Sequence, residues 1–131
     1  SMVGIVIVSH SAKVAEGIKE MAMQMSRPEQ KIIAAGGMED GGIGTDAMKI
    51  QAAIEAADDG SGVLVLVDLG SAVLSTDVAL ELVDEELKER VKVADTPILE
   101  GAISAAVEAS LGSPLDTVVA TAEGARKLQK L

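Results

Sequence analysis

Apolar and polar positions alternate along this chain in two textures. Four short runs, Val3 to Val8, Lys31 to Ala35, Val63 to Val67 and Val91 to Val93, are apolar or β-branched at nearly every position. Such runs read as strands of a parallel sheet buried on both faces. The segments between and after them carry apolar residues at steps of three and four, the spacing of one helix face.

The first helical segment is predicted over Ala12 to Met25 behind a serine cap, with Val14, Ile18, Met21 and Met25 on one side and Arg27-Pro28 as the stop. The second starts at Thr45, whose hydroxyl can cap it, has Asp46 in its first turn and closes at Asp58-Asp59-Gly60. The third follows Gly70-Ser71 and carries Val73, Leu74, Val78 and Leu82. The charged stretch Asp84 to Arg90 then reads as a solvated turn or a short helical extension. Thr96-Pro97 and Ser113-Pro114 each set a capping residue ahead of a proline, which predicts helices over Pro97 to Ser110 and Pro114 to Gln129.

This order predicts an α/β fold: one domain over residues 2–131, with a central, mainly parallel four-stranded sheet in the order 2-1-3-4 flanked by helices. No internal repeat or linker interrupts it. Ser1 ahead of Met2 reads as a remnant of expression.

Composition narrows the chemistry. Of 131 residues 48% are hydrophobic and none is aromatic, so the core must be built from Ala, Val, Ile, Leu and Met. Eleven Lys and Arg against 21 Asp and Glu leave a formal charge of −10, which repels nucleic acid and anionic lipid and favours partners with a basic patch. Without cysteine, and with one histidine, disulfides and thiolate sites are excluded and no metal site is expected. The apolar runs are far shorter than the roughly 20 residues of a membrane helix. With no signal peptide ahead of Val3, a cytoplasmic location is the expectation.

The single histidine, His10, stands in "VGIVIVSHSAKVAEG", directly after the first strand. In a 2-1-3-4 sheet the strand order reverses between strands one and three, and ligands bind outside the carboxyl ends of the strands there. "DLGSA", Asp68 to Ala72, follows strand three and converges on His10. Asp68 can hydrogen-bond one ring nitrogen and leave a lone pair on the other, or it can cap the third helix; spacing alone supports both. Gly70, Ser71 and Ala72 open that helix with amides suited to phosphate oxygens. The loop "GGMEDGGIG", Gly36 to Gly44, could add further amides. Ser9 and Ser11 read as cap and turn residues.

Other chemistries fit less well. No lysine follows a glycine in that loop as a P-loop requires, and no GxGxxG follows a strand in the dinucleotide register. A hydrolase assembled from Ser9 or Ser71 with His10 and Asp68 lacks the GxSxG elbow. What remains is a histidine that carries a phosphoryl group. Transfer between two proteins requires this histidine to be exposed, and it is expected at the sheet's edge.

"VGIVIVSHSAKVAEGI", "GIGTDAMKIQAAIE" and "VLVLVDLGSAVLSTDVALEL" resemble the phosphotransferase subunits, DhaM, of phosphoenolpyruvate-dependent dihydroxyacetone kinases, which are similar to mannose-type IIA domains of the sugar phosphotransferase system. The resemblance implies that His10 accepts a phosphoryl group from HPr and that Asp68 orients its ring. Gly70, Ser71 and Ala72 would form the cradle, with Gly36, Gly37, Thr45 and Asp46 completing the rim.

It further implies transfer to ADP on a nucleotide-binding subunit, DhaL, the ATP formed serving a third subunit, DhaK. ADP/ATP and magnesium would sit on the partner, with no cofactor on this chain. A homodimer through an edge strand or the C-terminal helices is implied as well. Some DhaM proteins continue into HPr-like and Enzyme I-like domains, for which 131 residues leave no room. A IIA domain feeding a sugar transporter and a regulatory phospho-sensing module are the alternatives.

Overall fold

The computed structural model describes residues 1–131. In chain order it contains β1 (Gly4–Ser9), α1 (Ala12–Met23), β2 (Ile32–Gly36), α2 (Ala47–Ala57), β3 (Val63–Val67), α3 (Gly70–Leu82), α4 (Glu85–Lys88), β4 (Val91–Val93), α5 (Ile98–Ser110) and α6 (Leu115–Gly124). The four strands form one sheet in the order β2-β1-β3-β4, every pair parallel, as the sequence predicts.

Alternate residues of the inner strands serve opposite layers. Ile5, Ile7, Leu64 and Leu66 pack with α1, α5 and α6, while Val6, Val8, Val63 and Val65 pack with α2 and α3. This is the consequence of a period-two backbone apolar on both faces. No helix is long and apolar enough to cross a membrane.

The helices turn different faces to the sheet from those their large residues suggest. On α1 the buried residues are Ala15, Ile18 and Ala22, whereas Val14, Met21 and, just past the helix end, Met25 stand about half exposed. On α3 the buried residues are Ala72, Thr76 and Ala79, and Leu74, Val78 and Leu82 are open to solvent. Small side chains win because the helices lie close to the sheet. A Cβ on Gly36 would sit 2.6 Å from Ser11 O and 2.8 Å from the Ala15 Cβ, so the start of α1 rests almost on the end of β2.

Several boundaries and caps also differ from expectation. α1 stops at Met23, and α6 ends at Gly124 in a 3-10 turn over Ala125–Lys127 rather than running to Gln129. The cap of α2 is Asp46, whose Oδ1 accepts from the Met48 and Lys49 amides, while the Thr45 hydroxyl pairs with Ser75 Oγ at 2.5 Å. Pro97 and Pro114 themselves hold the cap positions of α5 and α6. Thr96 instead donates to Ala122 O at 2.6 Å and Ser113 to Glu108 Oε2 at 2.5 Å, so both hydroxyls tie elements together.

Candidate functional site

Parallel pairing in register builds the site. Val8 lies opposite Val67, so the residues that leave the two strands, Ser9-His10 from β1 and Asp68 from β3, emerge side by side at the carboxyl end of the sheet. The Asp68 amide continues the ladder for one bond, donating to Val8 O at 3.2 Å.

The Asp68 carboxylate then gathers three donors. Its Oδ2 accepts from Ser9 Oγ at 3.0 Å and from the His10 backbone N–H at 2.9 Å, and its Oδ1 lies 2.9 Å from His10 Nδ1. It makes no bond to α3, whose cap position is Leu69 without a side-chain acceptor. Of the two arrangements that spacing allows, the carboxylate therefore takes the one that faces the His10 ring rather than the α3 amides. Burial pushes its carboxyl up, but the His10 amide, the imidazole and the Ser9 hydroxyl together hold it below the ordinary carboxylate value.

An ionised carboxylate only accepts, so in the neutral ring Nδ1 carries the proton and Nε2 presents its lone pair. Ser71 Oγ lies 2.7 Å from Nε2 and donates to it. Without a GxSxG elbow a serine, histidine and aspartate in one line are not expected from the sequence, yet Ser71, His10 and Asp68 form that line. Ser9 is not a cap. It is buried, supports Asp68, and accepts from the Ser11 amide at 3.1 Å; Ser11 caps α1 by accepting from the Val14 amide. The only sequence signal for the role of Ser9 was its place next to the histidine.

His10 is not at an edge of the sheet. β1 is an inner strand, and the His10 side chain retains 22% of its exposure and that of Asp68 18%. The ring reaches solvent because it stands past the strand's end.

The remaining expected residues divide. Gly70 and Ser71 open α3 with amides that have no acceptor one turn back, whereas the Ala72 amide is engaged by Leu69 O at 2.9 Å. Gly37, at φ +71°, donates its amide to Ser9 O at 3.1 Å, and the buried Gly36 permits the close contact with α1. The Gly44 amide donates to His10 O at 2.8 Å. These glycines shape and hold the site, and Thr45 and Asp46 hold the start of α2 beside it. No three histidine or acidic side chains come together as metal ligands.

Around this centre stand large apolar side chains exposed to solvent: Met38 and Ile43 on the loop, Met48 on α2, and Leu69 and Leu74 at the start of α3.

Residues 4–119 match the family described as PTS system fructose IIA component. The chain is 42% identical over 127 residues to the phosphoryl donor subunit DhaM of a PEP-dependent dihydroxyacetone kinase from Providencia stuartii, spanning 95% of this chain but only 27% of that protein. With a DhaM of a second such kinase, from Listeria innocua, it shares 43% identity over 113 residues, covering 86% of this chain and 90% of the relative. The crystal structure of EF1359, a protein described as of unknown function, superposes with a TM-score of 0.88 at 37% identity and full coverage of both chains.

Proposed function

Because this chain belongs to the family of PTS IIA components, and within it to the DhaM subunits, we propose that it is the phosphoryl-carrier subunit of a PEP-dependent dihydroxyacetone kinase. His10 Nε2 takes a phosphoryl group from the phosphohistidine of HPr and passes it to ADP on DhaL; the ATP so formed phosphorylates dihydroxyacetone on DhaK. The supporting observation is the Asp68 carboxylate on Nδ1 at 2.9 Å, which leaves Nε2 as the nucleophile.

In the transfer, the Nε2 lone pair bonds to phosphorus as the donor's nitrogen–phosphorus bond breaks, and its electron pair stays with the donor's ring. The Nδ1 proton remains on His10, and the positive charge on the doubly substituted ring faces the Asp68 carboxylate. The Ser71 hydroxyl turns from Nε2 to a phosphoryl oxygen, and the Gly70 and Ser71 amides at the positive end of α3 stabilise charge on the others. ADP, ATP and magnesium belong to the acceptor subunit.

The apolar collar around His10, on a chain of charge −10, suits a docking partner with an apolar face and a basic rim. A homodimer is part of this reading; Val78 and Leu82 on α3 and Val107 and Leu111 at the C-terminal helices stand open to solvent as apolar surface for it. A cytoplasmic location belongs to the same reading.

A relay assay tests it. The chain is incubated with phosphoenolpyruvate, Enzyme I and HPr, its acid-labile phosphoryl group is read by intact mass, and ADP-loaded DhaL is then added. The expected result is one phosphoryl group, absent in His10→Ala, that is lost to ADP. Phosphorylation retained in His10→Ala overturns the site. A phosphoryl group that DhaL·ADP does not remove overturns the kinase role in favour of a transporter or regulatory domain.

A further inference from the structure

Lys49 lies in the first turn of α2, and its partners are backbone carbonyls rather than a carboxylate. Its Nζ donates to Gly36 O at 3.0 Å and to Met38 O at 3.4 Å. Those carbonyls flank the point where β2 gives way to the loop Gly37 to Gly44. The loop folds on itself, the Met38 amide donating to Gly42 O at 2.9 Å and the Gly41 amide to Met38 O at 3.0 Å. Two bonds join it to the tip of β1: Gly37 N–H to Ser9 O at 3.1 Å and Gly44 N–H to His10 O at 2.8 Å.

The His10 backbone is therefore gripped from two sides, its N–H by Asp68 and its C=O by Gly44. Asp68 directly follows the central strand β3, and its own amide is tied to Val8 O at 3.2 Å. Gly44 sits in a segment rich in glycine, which loses more conformational freedom on ordering than any other residue type. A Cβ at Gly44 would lie 2.7 Å from Met38 Sδ, so the Met38 side chain packs directly over Gly44 within the loop. Lys49 holds the Met38 carbonyl, and it is the one side chain from outside the loop that bonds to this segment.

We propose that Lys49 is a positioning residue for phosphoryl transfer: it holds the glycine loop in the form that fixes the His10 backbone and thereby aims Nε2. This rests on the phosphoryl-carrier reading. One charge-assisted hydrogen bond at 3.0 Å and a longer, weaker one at 3.4 Å, from the same ammonium, restrain the loop at its base. A small displacement of the attacking atom is costly in a transfer that demands alignment.

The test compares Lys49→Met and Lys49→Arg with the wild-type chain in steady-state relay from the phosphorylated donor protein, as the varied substrate, through the chain to an excess of the ADP-loaded acceptor subunit. Thermal unfolding and long-range imidazole nitrogen spectra of His10 are recorded alongside. The expected result for Lys49→Met is a kcat about tenfold lower at nearly unchanged KM, with shifted or broadened His10 ring signals, and recovery of most of the rate in Lys49→Arg.

Three results overturn the proposal. The first is an unchanged kcat. The second is a raised, salt-dependent KM at unchanged kcat, which makes Lys49 a docking charge. The third is a lowered Tm with unchanged ring signals and unchanged rate per folded molecule. A wild-type chain that is not phosphorylated at all overturns the carrier reading and this inference together, whereas a phosphorylated wild type beside an equally fast Lys49→Met overturns this inference alone.

Discussion

β3 has an aspartate beyond each end, and the two make a controlled comparison. At the amino end Asp58 closes α2, and both its oxygens are held by Arg90, from Nε at 3.1 Å and Nη2 at 2.7 Å, with the Gly60 amide adding a bond at 3.1 Å. At the carboxyl end Asp68 is held by Ser9, the His10 amide and the His10 ring. Both carboxyls lie below the ordinary value: Asp58 chiefly through its bond to Arg90, Asp68 through its bonds to His10 and Ser9 against the opposing push of burial.

The partners differ in what they can do. A guanidinium keeps its charge at every relevant pH, so the Asp58 pair is a fixed clasp between the end of α2 and the start of β4. An imidazole changes charge when it is protonated or phosphorylated, so the Asp68 pair answers to chemistry at Nε2. A depressed carboxyl is therefore no mark of function by itself; the mark is a partner that can change state.

Exchanging the two roles by mutation gives the largest expected effect at the carboxyl end. Asp68→Asn removes the charge that balances a substituted ring and lets an amide meet Nδ1 in the wrong tautomer, so transfer should slow by about a hundredfold, measured as the rate of phosphohistidine formation. A rate within twofold of wild type would put Asp68 in the same structural class as Asp58.

At the amino end, Asp58→Asn is expected to leave the transfer rate within about twofold while lowering the urea midpoint at neutral pH, modestly because solvent reaches the pair. The pH dependence has a definite sign. The folded carboxyl titrates below its unfolded value of about 3.9, so its contribution is present above that pH and is lost as pH falls through the lower folded value. Asp58→Asn should accordingly lose less stability than wild type between pH 7 and pH 3. An equal loss would remove the clasp from the account of acid stability.

A third variant sharpens the site alone. Ser71→Ala deletes one hydroxyl from Nε2 and leaves the α3 amides, so about a tenfold slower transfer is expected, with stability within about 0.5 kcal/mol of wild type. A loss as large as that of Asp68→Asn would show the hydroxyl to be essential to the transfer.

The sequence alone determined the sheet, its order and the placing of His10 over the switch point. Runs such as Val63 to Val67 are apolar at every position, and period-two geometry leaves them no solution but burial on both faces. It also brought the segment Asp68 to Ala72 to the same end of the sheet as His10, since both follow adjacent strands of a parallel sheet.

Which groups bond within that cluster was left to the tertiary structure. Asp68 could cap α3 or hold the ring on local spacing, and only the β1·β3 register, Val8 against Val67, turns it to His10. The helix faces were hidden for a related reason. Hydrophobicity says which side chains can be buried, but the distance between helix and sheet says which are, and at this separation the alanines go in while Val14, Met21, Leu74 and Val78 stay out. Lys49 gave no sequence signal at all. Its ligands are carbonyls of residues 36 and 38, which every residue type possesses, so only the folded backbone could put them within its reach.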